Sequence, residues 1–599
     1  MSAPSADAPV PLPSKGDRWV EVRTKNFTVY GNASESKTRE VGLEMERLRA
    51  VLLLLKRGSA ANAPVPTWVY VFKNRSALVP YLPRDQGDPE RMSSFYQGSW
   101  DGNYAMLSAA WNADPRPTVY HSYIYDFIRA NFTELPLWYE VGIAGYYSTF
   151  QTEGDEARTG MLPEDDLHLL RTRGMWLPLD RLLAADYDSP EYRDPDNRSL
   201  FFAESWALAH YLMQGNPERA PQLGRFLVLR KRGRPQDEAF REAFGTDYAT
   251  LYGELVAYIR NNKRFFYNRV KFADLKPPTE ARTTPMSYED VVVRLGDLLA
   301  HTKRLEESER YYAAALASNP ASAGALAGLA WVRKRQERTD EAAALVRRAA
   351  EAGSADFRVY YADGQARWEA LTESSHNPRN LDPEDRAELE TARAAFRRCV
   401  ELNPDYAEAL AALGRTYRLE PRGANVEEGI AALEAAKKRL PTREDVAIDL
   451  AALYEQKGDK ARADATLGET AGPKVAAARA KQGAARDFDE SVAEINRLVA
   501  AAKFDEALAI LDPLIEEAGG ETRAKMEKYR EDLRKTAALN RAAADYNAAI
   551  ALYNARKLDA ALAAFRKLAA ASPDPDIAAA ARQKAAEIAR ILPKKTVKP

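Results

Sequence analysis

The spacing of apolar side chains changes period twice along this chain. Positions 19–22 (Trp-Val-Glu-Val) and 27–30 (Phe-Thr-Val-Tyr) alternate, which predicts two short strands closed by Gly31-Asn32. Positions 36–55 shift to the period of an amphipathic helix, with Ser34 or Ser36 as N-cap. The run 68–72 (Trp-Val-Tyr-Val-Phe) is aromatic and β-branched and predicts a buried central strand. Residues 103–108, after a Trp-Asp-Gly turn, predict another. From Pro117 to about Tyr267 the pattern is helical, with helices over 119–132, 136–150 and 201–212. Lys-Pro-Pro and Thr-Thr-Pro within 274–285 read as a linker.

After Met286 the texture becomes Ala-rich and helical, with a period of about 34 residues. Leu295-Gly296, Tyr312, Ala315 and Pro320 set the pattern, and Leu329, Ala342, Val346 and Ala349 repeat it. Gly364, Ala392, Phe396, Cys399 and Pro404 mark a third unit, interrupted by polar residues between Thr372 and Ala387. Leu413-Gly414, Tyr417 and Pro441 mark a fourth, and Leu450, Tyr454, Gly458 and Ala463 a fifth. Two further hairpins carry Phe504, Leu508 and Leu511, then Leu558, Leu562, Phe565 and Pro573. These positions resemble tetratricopeptide repeats, about seven in all. Small residues let paired helices approach, and bulky ones fill the gap to the next pair.

The resulting map has a flexible leader over 1–16, a first domain over 17–270 and a linker over 271–285. Repeats follow over 286–470, then a loose Ala/Gly/Lys stretch over 471–487 and helical hairpins over 488–592. The expected fold class is α+β, a small sheet plus helices, followed by an all-α tetratricopeptide solenoid.

Composition narrows the function. At 599 residues the chain exceeds one core, and a net charge of −1 gives no electrostatic case for nucleic acid. The longest apolar run, 51–55, is too short to span a bilayer. Cys399 is the single cysteine, so no intrachain disulfide forms, and its place in the repeat predicts a buried packing role. Residues 1–15 lack the basic and apolar regions of a signal peptide. The compartment is periplasmic or envelope if an export signal has been replaced, and cytoplasmic otherwise.

The chemistry-bearing candidates lie on two predicted helices. The first carries His121, Ser122 and Tyr125; the second reads Pro136-Leu-Trp-Tyr-Glu-Val-Gly-Ile-Ala144. The frame of His121, Pro136, Trp138, Gly142 and Ala144 resembles gluzincin-type zinc metallopeptidases, including bacterial members whose peptidase-like domain precedes tetratricopeptide repeats. There the segments read H-E-x-x-H and P-x-W-x-x-E-G-x-A, two histidines one turn apart binding zinc beside a glutamate base. The resemblance implies that Ser122 stands at the base position, Tyr125 at the second ligand and Val141 at the third. A hydroxyl, a phenol and an isopropyl group cannot do those jobs. Glu140, one residue earlier, is turned by about 100° and is expected to point away from His121. The expectation is an inactive domain without metal or cofactor. One alternative is an active zinc peptidase with a site relocated to His121, Glu140 and Tyr125. Another is a purely structural N-terminal lobe. A second metal site at Glu204 and His210 competes with plain core packing.

Two binding surfaces are expected for a peptide or protein partner. By the resemblance, Tyr104, Ala105, Met106, Leu107 and Ser108 form an edge strand able to pair with an extended peptide. In the repeats, Trp331, Lys334, Arg335, Gln365, Trp368, Arg415 and Arg418 line a concave face suited to an acidic or carboxylate-ended peptide, or else form an ordinary solvated face.

Overall fold

The computed structural model describes residues 9–56, 63, 65–85, 92–110, 114, 116–132, 135–261, 265–374, 381–421, 423–470 and 472–592. It divides into two compact units, 1–471 and 472–599. Residues 1–8 of the expected leader lie outside the described residues.

The first unit is built on a six-stranded sheet. Strands β1 (Val20–Arg23), β2 (Phe27–Gly31), β3 (Thr67–Phe72), β4 (Ser94–Gly98) and β5 (Asn103–Ser108) come first in the chain. A separate three-stranded sheet holds β6 (Gln151–Glu153), β7 (Glu156–Thr159) and β8 (Asn268–Lys271), and β9 (Arg282–Pro285) completes the large one. The large sheet runs β4-β5-β3-β2-β1-β9, with β2, β3 and β5 mutually parallel. Ser34, not Ser36, caps the first long helix, α1 (Glu35–Leu52), accepting from Lys37 N at 3.2 Å.

Side chains of the sheet alternate between two apolar layers, as a period of two requires. Val29, Val69, Val71, Ala105 and Leu107 meet Val41 of α1 and Val119 of α2 (Arg116–Asn131). On the other face Tyr30, Tyr70, Phe72, Tyr104 and Met106 share one core with Val292, Leu295, Leu299, Tyr311 and Tyr312. Those last five belong to the first repeat. The run 68–72 is therefore apolar at every position because helices cover both faces.

This sharing corrects the domain map. Residues 282–285 are no linker but β9, which pairs antiparallel with β1 and gives it a partner on its open side. Pro285 ends that edge strand, where a missing N–H is harmless. Met286 N donates to Trp19 O at 3.0 Å, and Ser287 caps the next helix. The leader is corrected as well: Val10 is buried in the shared core, and Tyr311 Oη donates to Pro11 O at 2.6 Å.

Five helical hairpins follow in this unit. Repeat 1 pairs Tyr288–His301 with Leu305–Ser318, repeat 2 pairs Ala323–Arg335 with Thr339–Glu351, and repeat 3 pairs Phe357–Ser374 with Pro383–Leu402. Repeat 4 pairs Ala407–Thr416 with Glu427–Arg439, and repeat 5 pairs Glu444–Lys457 with Lys460–Gly468. Glycines set the closest approaches: a Cβ on Gly328 would stand 2.1 Å from the Tyr312 ring. Cys399 is fully buried against Phe357, Tyr406 and Ala409, and burial raises its thiol pKa far above the ordinary value.

The second unit is wholly helical among its described residues. The stretch expected to be loose, 471–487, falls almost entirely in the helix Pro473–Ala500. Its many Ala, Lys, Arg and Gln residues favour helix, Pro473 stands in the first turn where it is tolerated, and Gly483 is the one glycine in the helix up to residue 487. The helix Gly520–Asn554 contributes Leu533 to one small core, with Leu498 and Leu511, and Ala549 to another, with Phe565 and Ile588.

Candidate functional site

Helix α2 and helix α3 (Leu137–Ser148) hold the residues singled out by the motif. Trp138 and Val141 are fully buried in the apolar core that α3 shares with α4 (Pro195–His210). Gly142 permits that packing, since a Cβ there would stand 2.4 Å from Ser205 O. Val141 thus faces the core, and its isopropyl group carries no atom that could ligate a cation.

His121 is half-buried, its ring stacked on Phe202 with centroids 5.7 Å apart. Burial pushes the imidazole pKa down to about 4, so it is neutral at pH 7. One turn on, Tyr125 Oη donates to Tyr187 Oη at 2.9 Å, and Tyr187 Oη donates to Glu140 Oε2 at 2.5 Å. The Arg129 guanidinium covers both phenol rings, 5.8 Å from Tyr125 and 5.5 Å from Tyr187. Glu140 is buried, and it is joined to Tyr125 through Tyr187. Burial raises the Glu140 carboxyl pKa, opposed by the Tyr187 hydrogen bond and the Arg129 charge. Burial pushes Tyr187 up to about 12 and Tyr125 further, so both phenols stay protonated. Tyr187 was absent from the sequence expectations because it joins this row from a loop 62 residues beyond Tyr125.

These groups do not fit a catalytic zinc. One neutral imidazole, one carboxylate already accepting a phenol and two protonated phenols fall short of three anionic or imidazole ligands. Among the described residues, no group of three or more His, Cys, Asp or Glu side chains is placed to hold a metal ion.

Glu204 and His210, on α4, are hydrogen-bonded core residues. His210 Nε2 lies 2.9 Å from Gly160 O and Nδ1 2.9 Å from Tyr258 Oη. Glu204 Oε1 accepts from Leu177 N at 2.8 Å, and burial raises its pKa to about 8. A carboxyl raised on folding stabilises the fold fully below its ordinary 4.5, and that contribution is lost as pH rises through about 8. Glu204→Gln keeps the acceptor and removes the titration. Its stability relative to the parent chain, measured by urea denaturation, should rise between pH 5 and pH 8; a constant difference would refute the linkage.

The expected peptide-pairing strand is corrected. Strand β5 lies inside the sheet, paired with β3 on one side and β4 on the other, so Tyr104, Ala105, Met106, Leu107 and Ser108 have no open edge. The edge is β4, whose Ser-Phe-Tyr-Gln-Gly sequence gave little strand signal.

The concave-face residues divide. Trp331 lies 4.6 Å from the His301 ring with the Arg335 guanidinium 4.6 Å from its own ring, while Lys334 and Arg335 are exposed. Gln365 donates to Tyr361 Oη at 3.3 Å, and Trp368 packs on Leu371, Leu381 and Leu389. Arg415 and Arg418 both bind Asp449, at 2.7 and 2.6 Å, and Arg415 also binds Asp445 at 3.0 Å. Their charges are met within the repeats, which corrects the expectation that they await an acidic ligand.

A buried polar cluster, absent from the sequence expectations, joins the sheet to repeats 1 and 3. Asp101, in the β4–β5 turn, lies 3.1 Å from His301 Nε2 and accepts from Arg358 Nη1 at 3.1 Å. Arg358 also donates to Tyr104 Oη at 2.7 Å and to Asp356 at 2.6 Å, and its guanidinium lies 4.9 Å from the Trp68 ring. The Tyr104 and His301 rings stack at 3.7 Å. The first helices of repeats 1 and 3 thus contact the chain's own N-terminal lobe.

Comparison with known proteins bears on the repeats. Residues 290–322 match the tetratricopeptide repeat family. A stretch of 233 residues is 27% identical to the cellulose synthase operon protein C of Xanthomonas axonopodis pv. citri (strain 306), covering 37% of this chain and 14% of that protein. The chain therefore spans a small part of this relative. Among solved structures, YrrB, a TPR protein with an unusual peptide-binding site, is 20% identical with a TM-score of 0.24, over 30% of this chain and 82% of its own. MamA protein is 18% identical with a TM-score of 0.23, over 33% and 93%.

Proposed function

We propose that this chain is a non-catalytic scaffold: a gluzincin-like lobe without its zinc chemistry, joined to tetratricopeptide repeats that take a peptide or protein partner. Proteins of this repeat type bind peptides or other proteins, and no helix among the described residues is long and apolar enough to cross a membrane. The observation that carries the inactive reading is the fate of the motif positions: Val141 faces the core, and Tyr125 and Glu140 are joined through Tyr187. Because the first helices of repeats 1 and 3 already contact the N-terminal lobe, the partner surface belongs to the later repeats.

The test is a metal analysis of full-length protein purified without chelator, with a peptide-hydrolysis assay. Zinc far below one ion per chain and no cleavage are expected. Stoichiometric zinc with cleavage abolished by chelator and by His121→Ala would overturn the proposal and favour the relocated site at His121, Glu140 and Tyr125. A second reading, in which the lobe serves only as a structural cap, gains support from the core shared by the sheet and repeat 1.

A further inference from the structure

A cleft lies on the side of α2 that carries Tyr123, Asp126 and Phe127, between the end of the sheet and repeat 4. Its volume is about 510 Å³, within the range that holds small ligands and chain termini. Val65, Ala407 and Leu440 give it an apolar wall, and Trp100 stands beside them with 47% of its surface exposed. The Trp100 ring lies 5.8 Å from that of Tyr361, so its outer part remains open to the cleft.

Arg49 lines the same space and is only 9% exposed. It donates to Tyr123 Oη at 3.2 Å, and its guanidinium lies 5.6 Å from the Phe127 ring. Among the described residues, no carboxylate lies within ion-pair distance of it. A buried cation without a counter-ion is costly, and an anion entering the cleft relieves that cost. A second guanidinium, Arg129, also lines the cleft; it lies against the Tyr125 and Tyr187 rings, and its charge acts on Asp126 and Glu140.

The two acids in the wall do not cancel this charge. Glu408 accepts from Arg443 Nη1 at 2.7 Å, so its charge is already met. Asp126 accepts from Tyr96 Oη at 2.8 Å, and burial raises its pKa, which disfavours its charged form.

We infer that this cleft binds a peptide C terminus, with the terminal carboxylate on Arg49 and an apolar last side chain against Trp100 and Leu440. Arginine suits a carboxylate because its planar fork can donate two parallel hydrogen bonds. The apolar wall beside it distinguishes such a ligand from a bare oxyanion. The inference does not rest on the scaffold reading: the site would serve an active or an inactive lobe alike.

The experiment is calorimetric titration of the full chain with N-acetyl-Ala-Leu as free acid and as carboxamide, with inorganic phosphate as competitor. The free acid should bind at least about tenfold more tightly than the amide, the usual loss when a charged hydrogen bond is removed. Arg49→Met should abolish that difference, and Trp100→Ala, at an exposed position, should weaken acid and amide alike. Should Arg49→Met fail to fold, the acid–amide comparison on the parent chain and the Trp100→Ala result still decide. Equal binding of acid and amide, or no binding of either at millimolar concentration, overturns the inference. Phosphate displacing the peptide at lower concentration than the peptide itself requires overturns it too, since the site would then select an oxyanion without a side chain.

Discussion

A fragment ending at residue 270 should fail to give a folded N-terminal domain, whereas a fragment ending at 471 should keep the tertiary signals of its part of the full chain. The shorter fragment loses β9, leaving β1 with an open side, and loses the helices that cover one face of the sheet. Tyr30, Tyr70, Phe72, Tyr104 and Met106 would then meet water. At ~1.5–3 kcal/mol for each such side chain, the loss is on the order of 10 kcal/mol. A whole domain has only about 5–15 kcal/mol to lose. Near-ultraviolet circular dichroism and urea unfolding would check this. A soluble 1–270 fragment with a sharp transition and native aromatic signals would refute the shared core. The longer cut falls between the two compact units.

Replacing Arg358 with methionine should destabilise the first unit by about 3–5 kcal/mol, the usual cost of breaking a buried ion pair from one side. Methionine keeps much of the side-chain volume and removes the charge that Asp101 and Asp356 share. The double variant Arg358→Met, Asp101→Asn should recover part of the loss, because it also removes one of the stranded carboxylates. Urea denaturation of the 1–471 fragment, followed by tyrosine and tryptophan fluorescence, would measure both. A cost for Arg358→Met within that of an exposed substitution would rule out the cluster as a tie between sheet and repeats. The same cluster sets an acid limit. Burial alone would raise the Asp101 pKa, but the hydrogen bond and charge of His301 and the charge of Arg358 override it and hold the carboxyl well below its usual range. A carboxyl depressed on folding contributes fully above its ordinary value of 3.8, and that contribution is lost as pH falls below it.

Much of the secondary structure could be read from residues alone. The alternation at 27–30, the apolar run at 68–72 and the helical pattern over 119–132 and 136–150 correspond to β2, β3, α2 and α3 within a few residues. The repeat spacing was equally legible, because Gly296, Tyr312 and Gly328 answer one another at fixed offsets to let helices pack closely. Strand β4 was missed, because Ser, Gln and Gly carry little β-propensity and its strand character comes from pairing with β5.

What the sequence determined by itself is local: which residues coil into helices, which extend, and which side-chain chemistry stands at each position. Neighbours a few positions apart set those outcomes, through backbone propensity and the chemistry of single side chains. Only the tertiary structure decided that residues 282–285 join the sheet, that repeat 1 supplies one of its covering layers, and that Glu140 reaches Tyr125 through Tyr187. Each of these joins groups tens to hundreds of residues apart, such as Asp101 with Arg358. Their attraction depends on a burial and a distance that exist only once the chain has folded.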